Sequence, residues 1–256
     1  DAEVRSVVTD SRSLSCELGC CPMFVAMRGA NHDSHGFVAQ MSARGVRAFL
    51  VERDVGCPAG CGFVRVDNAI DALQRLAAHY RAQFRGTVVG ITGSNGKTTT
   101  TMLIYHILRE AGLNVGLAGN VGKSLAWQVA ENDHDVYVVE LSSFQLENMY
   151  RFRANIAVLL NITPDHLDRY GFEMQNYIHA KFRILQNQPP ADAFIFWEDD
   201  PVITAQLKQF ETEARMYPFA EHRHEDSAAW VDKDGKVVFN TPEEDFEIPR
   251  ADLSLH

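Results

Sequence analysis

The sequence has no apolar run approaching the roughly 18 residues needed to cross a bilayer, so no membrane-spanning helix is expected. It has no basic excess either: 24 Lys and Arg stand against 34 Asp and Glu, for a formal charge of -10. That balance argues against nucleic acid or an acidic membrane surface as partner, while leaving room for a local basic pocket that holds one phosphorylated ligand. No basic-then-apolar leader opens the chain, which begins with the charged DAEVRS, and the expected compartment is the cytoplasm. Cysteine is scarce, and all five lie early, at Cys16, Cys20, Cys21, Cys57 and Cys61. Their two CxxxC spacings lack the CxxC knuckle of zinc ribbons and have no histidine at ligand-like spacing beside them. Plain reduced thiols are therefore expected ahead of a zinc site or a redox pair. Internal repeats and low-complexity segments are also missing.

What is present is a 46% hydrophobic chain of 256 residues, a length more comfortable for two domains than for one. Residues 6 to 84 alternate short β-rich runs (SVVTD, MFVAM, RAFLVE, GFVRVD) with helical pattern. They end in NAIDALQRLAAHYRAQF, where Ile70, Leu73, Leu76, Ala77 and Tyr80 form the expected apolar face. A second series then runs through TVVGIT, a helix over about 97 to 111, NVGLAG, a helix near 122 to 131, DVYVVELSS, ANIAVLLNI, a helix near 173 to 186 and ADAFIFWE. Continuously apolar strands separated by helices predict a parallel sheet covered on both faces. The fold class is thus α/β. A small N-terminal α/β domain over 1–86 precedes a P-loop-type, mostly parallel sheet flanked by helices over 87–256, with a short β-hairpin turned at Asp234-Gly235 near the C-terminus.

The chemistry concentrates at TGSNGKTTT. Gly93 and Gly96 allow a tight turn whose backbone N–H groups converge on phosphate, with Ser94 and Asn95 between them. Lys97 opens a helix whose positive end favours an anion, and Thr98, with Thr99 close by, offers a hydroxyl to Mg²⁺. The strict GxxxxGK[ST] pattern is not met, because Ile91 occupies the place of the first glycine. Two further polar positions close later strands, where open α/β sheets place ligands. Glu140 ends DVYVVE, and His166 follows IAVLLNI in NITPDHLDRYG; both suit Mg²⁺. The alternatives are a capping or salt-bridged acid at Glu140 and a histidine bonded to Asp165 or Asp168 at His166.

The strings TGSNGKTTT, GLAGNVG, VVELSSFQLE, NITPDHLDRYG and YIHAKFRI, in that order, resemble the central ATPase domain of the Mur ligases, most closely the D-glutamate-adding branch. VTDSRSL and MFVAMRGANHDSHGFVAQMSARGVRAFLVE instead resemble the N-terminal UDP-binding domain of the later branches, above all the one that adds D-alanyl-D-alanine. The two resemblances change over at VVGITGSNGKT, as in a join of two related genes. The family implies activation of a substrate carboxylate by ATP as an acyl phosphate, followed by amide formation with an incoming amino group in peptidoglycan precursor synthesis. It implies Lys97 on the β- and γ-phosphates, Thr98 and Glu140 on a first Mg²⁺, and His166 on a second, oriented by Asp165. It also implies that Lys181 is carbamylated and supports the second metal, where the residue alone reads as a solvated helix lysine. Asn120 would contact the muramoyl substrate, or be a plain turn residue. Ser11 and Arg12 would hold the UDP portion, or Arg12 would form a surface ion pair. His35 in DSHGF, with Ser34 where the family pattern has glycine, is assigned no ligand. The implied partners are a UDP-N-acetylmuramoyl substrate and an amino acid or dipeptide. Specificity is expected to follow the central motifs toward D-glutamate, with D-alanyl-D-alanine addition, or nucleotide binding without ligase turnover, as alternatives.

Overall fold

In the computed structural model the described residues are 4–12, 21–29, 32–56, 58–83, 86–125, 128–129 and 134–253. The chain divides into two compact units, Asp1–Phe84 and Arg85–His256.

The first unit carries a four-stranded parallel sheet in the order β1-β2-β3-β4, formed by Ser6–Val8, Pro22–Val25, Ala48–Val51 and Gly62–Arg65. The central strands β2 and β3 are buried on both faces, as their unbroken apolar runs require. On one face Phe24, Phe49 and Val51 pack with Val38 and Met41 of helix α1 (Val38–Ala43). On the other, Val25 and Leu50 pack with Ala69, Ala72 and Leu73 of helix α2 (Ala69–Gln83). The expected apolar face of α2 is therefore rotated. Ala69, Ala72 and Leu73 meet the sheet, whereas Ile70 and Leu76 are exposed, and the side chains of Ala77 and Tyr80 lie outside the described set. Small alanines let the helix approach the sheet, and the larger residues beside them mislead a reading by hydrophobicity alone.

The second unit is a nine-stranded sheet in the order β13-β12-β11-β10-β9-β8-β5-β7-β6. Its parallel part comprises β5 (Thr87–Thr92), β6 (Val115–Gly119), β7 (Val136–Glu140), β8 (Ile156–Leu159), β9 (Ala193–Trp197), β10 (Arg215–Phe219) and β11 (Ala229–Val231). Antiparallel β12 (Lys236–Asn240) and β13 (Asp245–Pro249) complete the edge. The Asp234-Gly235 hairpin is present between β11 and β12, with Gly235 at φ +74°. Strand β13 is an addition to the expectation, and β10 continues the parallel sheet where the sequence pattern changes character. Of the helix expected near 122–131, positions 125, 128 and 129 are helical and 126, 127, 130 and 131 lie outside the described residues.

Helix α3 (Lys97–Glu110) follows β5 and packs Ile104, Tyr105 and Leu108 over Val89, Ile91, Val115, Val138 and Val158. The chain then goes to the outer strand β6, returns through β7 beside β5, and leaves to the other side through β8. Winding reverses at β5, and the loops at the carboxyl ends of β5, β7 and β8 diverge into a crevice, the usual ligand position in such sheets. Helix α4 (Ser143–Glu147) starts in a capping box made by Ser142 and Gln145, which anchors the turn immediately after Glu140. Helix α5 (Met174–Phe182) carries Lys181, and helix α6 (Pro201–Leu207) begins at Asp200, whose carboxylate accepts from the N–H groups of Val202 and Ile203.

Candidate active site at the carboxyl ends of β5, β7 and β8

The missing first glycine of the phosphate-loop pattern is explained by where it falls. Ile91 is fully buried inside β5, and its carbonyl accepts from Leu141 N–H at 2.8 Å. An ordinary strand residue fits there, so the loop begins only at Gly93. Gly96 ends it as the N-cap of α3 with φ +78°, a left-handed conformation for which glycine carries no Cβ penalty. The Lys97 side chain folds back over the loop and donates to the carbonyls of Gly93 and Ser94, both at 3.0 Å.

Lys181 reaches the same place from below. It is 1% exposed, its Nζ donates to Gly93 O at 2.6 Å and lies 4.7 Å from the Tyr177 ring centre. Burial, with the Lys97 charge nearby, pushes this ammonium down to about 7, while Asp165 opposes the shift weakly. The solvated helix lysine of the plain sequence reading is thereby corrected. The α5 face that carries Tyr177, Ile178, Lys181 and Phe182 is buried, and a lysine within it cannot reach water. Tyr177 OH meets Ser94 Oγ at 3.0 Å, and burial raises this phenol above its ordinary value.

Glu140, 1% exposed, accepts from Thr98 Oγ1 at 2.9 Å and from Asn120 Nδ2 at 2.9 Å. The acid therefore caps no helix. Asn120 reaches it because Gly119, at φ +102°, lies against the Glu140 backbone: a Cβ there would stand 2.1 Å from Glu140 O. Thr99 is exposed on the first turn of α3.

His166 is half exposed, with φ +50°, its Nε2 3.5 Å from Asp165 Oδ2 and its ring 5.1 Å from that of Phe144. Asp165, not Asp168, is its acidic neighbour. Phe144 in turn carries the Arg169 guanidinium at 4.8 Å and stacks on Tyr170, which meets Tyr177 edge-on. Among the described residues no three of His, Cys, Asp and Glu come together as a ready metal cage.

In the first unit, Arg12 is 88% exposed at its side chain and forms a two-point pair with Asp10, through Nε and Nη2 at 3.0 and 2.7 Å. This is the surface ion pair left open from the sequence. The Ser11 carbonyl accepts from Arg44 at 2.5 Å. His35 is buried, with Nδ1 2.6 Å from Asp33 and Nε2 accepting from Glu52 N–H at 2.9 Å. Both ring nitrogens are thus committed within the fold. Ser34 exchanges hydrogen bonds with the Met27 backbone, which fastens the turn without glycine. Cys61 packs against Ser42 and Val46 as a plain thiol and Cys21 is exposed and free; Cys16, Cys20 and Cys57 lie outside the described residues.

Sequence reading missed Asn161, Thr163 and Asp200. Asp200 before Pro201 was a findable helix start. Asn161 and Thr163 lie within the NITPDHLDRYG string, but the role of Asn161 was not readable there, because its partners lie 66 and 67 residues away.

The Mur ligase middle domain matches residues 91–251. The UDP-N-acetylmuramoylalanine--D-glutamate ligase of Bacteroides fragilis is 66% identical over 155 residues, which is 60% of this chain and 35% of that protein. That match is longer than the whole first unit, so it extends over the second. The chain thus spans about a third of the length of this curated relative. Among solved structures, MurF from Acinetobacter baumannii is 25% identical with a TM-score of 0.73, over 95% of this chain and 55% of that one. MurF ligase from Thermotoga maritima in complex with ADP has the same fold, with a TM-score of 0.72 at 22% identity over 95% of this chain and 57% of that one. The middle-domain match covers more than half of the chain and most of the second unit, and this chain belongs to the Mur ligases.

Proposed function

We propose that the second unit binds Mg²⁺ and ATP for an ATP-dependent acid–amino-acid ligase that joins D-glutamate to UDP-N-acetylmuramoyl-L-alanine in peptidoglycan precursor synthesis. The observation that carries this reading is the convergence of Lys97, Lys181 and the Thr98–Glu140 pair on one loop at the switch point of the sheet. The identity to the Bacteroides fragilis ligase supports D-glutamate as the amino acid. The 1–86 segment is read as the UDP-substrate domain and 87–256 as the nucleotide domain. A cytoplasmic location and the absence of nucleic-acid and membrane partners go with this reading.

Phosphoryl transfer asks mainly for positioning and charge neutralisation. Lys97 leaves the loop carbonyls for the β- and γ-phosphates, and the N–H groups of Gly96 to Thr99 face the anion at the start of α3. The donor set suits magnesium. Among the described residues, the partners of the Glu140 oxygens are a hydroxyl and an amide rather than a lysine or arginine competing for its charge. Thr98 and Glu140 would hold one ion and His166, oriented by Asp165, a second, with phosphate oxygens and water completing each shell. These ions neutralise phosphoryl charge when bound. Lys181 as an ammonium fits no metal, but its neutral amine at neutral pH is the form that CO₂ captures, and the resulting carbamate would support the second ion. Asn120 would contact the muramoyl substrate, and Ser11 and Arg12 the UDP portion, with Arg12 released from Asp10.

One observation favours a second reading: the likeness to MurF runs through 95% of the chain, first unit included, so a UDP-N-acetylmuramoyl tripeptide and D-alanyl-D-alanine are the alternative substrates. Thermal unfolding with each UDP-muramoyl substrate and Mg²⁺-ADP decides between them. Protection by UDP-N-acetylmuramoyl-L-alanine supports the first reading and protection by the tripeptide the second. Protection by nucleotide alone leaves a nucleotide-binding unit without ligase turnover. In the same assay Glu140→Gln should abolish the Mg²⁺-dependent part of nucleotide protection.

A further inference from the structure

The phosphate loop is held less by its own turn than by the segment that follows β8. Asn161 Oδ1 accepts from Asn95 N–H at 2.8 Å and from Ser94 N–H at 3.1 Å, while its Nδ2 donates to Asn95 O at 3.1 Å. The Asn161 carbonyl also accepts from Ser94 N–H, at 2.9 Å. Two residues on, Thr163 N–H donates to Ser94 Oγ at 2.9 Å, and Thr163 Oγ1 accepts from Asn95 Nδ2 at 3.3 Å. Between them Ile162 N–H is fastened to the buried Asp200 carboxylate at 2.8 Å, the same carboxylate that caps α6. The loop is thus laced to a strip that is itself pinned to a helix start.

This lacing changes which groups are free to meet phosphate. In a loop that cradles an anion by its backbone, N–H groups point inward along the turn. Here the N–H groups of Ser94 and Asn95 are already satisfied by Asn161, through its side chain and its carbonyl, and those of Gly96 to Thr99 remain at the head of α3. We infer that Asn161 is a positioning residue for nucleotide phosphate. By occupying the amides of Ser94 and Asn95 it fixes the loop so that phosphate is met by the start of α3 and by Lys97, and it holds the strip carrying His166 in register with that cradle. The inference rests on the nucleotide reading above and goes beyond it, because Asn161 need not touch the ligand.

The test uses the full chain, with Mg²⁺-ADP and inorganic pyrophosphate as probes in calorimetry and with amide exchange read at Ser94 and Asn95. Asn161→Ala removes three side-chain hydrogen bonds from the loop. It should weaken both probes about tenfold and speed exchange at Asn95, with Ser94 less affected because its N–H keeps the Asn161 carbonyl, while β5 and β8 exchange as in wild type. Thr163→Val, which loses one long side-chain contact and keeps the backbone bond to Ser94, should bind both probes within about twofold of wild type. Should Asn161→Ala fail to fold, Asn161→Ser, which keeps a small polar side chain but not its reach, should give the same pair of changes. Wild-type affinity in the Asn161 variant overturns the inference, as does an affinity loss accompanied by equally faster exchange throughout β5 and β8. A wild-type chain that binds neither probe overturns the nucleotide reading itself, a different result from binding that is indifferent to Asn161.

Discussion

Lys181 makes the proposed chemistry measurable without any substrate. Its ammonium is lowered from 10.5 to about 7, first by burial and then by Lys97. Between those two values the unfolded chain holds a proton at this residue that the folded chain has released. Where the unfolded state binds more protons, stability rises with pH. The contribution is therefore unfavourable and constant below about pH 7 and is relieved progressively as pH climbs toward 10.5. Integrating from pH 7 to 9 with these two values gives a gain of about 2 kcal/mol, and the full interval is worth at most about 5 kcal/mol. Urea unfolding at pH 7 and pH 9 in CO₂-free buffer, for the wild type and for Lys181→Met, isolates the effect. Other titrating groups cancel in the difference, and the transition to follow is the one that the substitution shifts. Wild type should gain about 2 kcal/mol relative to Lys181→Met between the two pH values. Parallel pH dependence in the two proteins would refute the buried, deprotonating lysine and with it the route to a carbamate. Adding bicarbonate at pH 8 should stabilise wild type alone, because carbamate formation consumes the neutral amine present only in the folded state.

Two further outcomes follow from particular contacts. Gly119→Ala puts a methyl 2.1 Å from Glu140 O at a residue with φ +102°; it should cost more than about 2 kcal/mol in chemical unfolding and disturb Mg²⁺-dependent nucleotide binding through Glu140. Asp192 is buried and takes a two-point bond from the half-exposed Arg153 at 2.6 and 2.7 Å; Asp192→Ala should lower the melting temperature by a change worth about 1.5 kcal/mol while leaving nucleotide affinity unchanged.

The parallel sheet of the second unit was legible because each strand is a continuous apolar run closed by a polar residue, and the helices between them carry their starts in the sequence. Helix α3 runs Lys97–Glu110 against an expected 97 to 111. Strands β10 and β13 were not legible, since RMYPF and DFEIP interleave charged residues and proline with apolar ones and owe their conformation to pairing with neighbours. The face of α2 was misread for a related reason. Burial there is decided by how closely the helix approaches the sheet, which favours Ala69 and Ala72 over the more hydrophobic Ile70 and Leu76.

The same division runs through the site. Lys97, Thr98 and Glu140 stand at strand ends and helix starts, positions whose geometry local pattern determines, and the crevice brings them together. Asn161 and the burial of Lys181 depend on which segments meet across the sheet, and no window of sequence contains that information. Ile91 shows the cost of reading by motif alone. Its mismatch to the phosphate-loop pattern looked like a defect, yet the position is strand interior and places no demand for glycine. The functional constraint lies five residues along the chain, at Gly96, and across the sheet, at the asparagine that occupies the loop's own amides. The conformation of this loop is therefore set as much by the segment after β8 as by its own glycines.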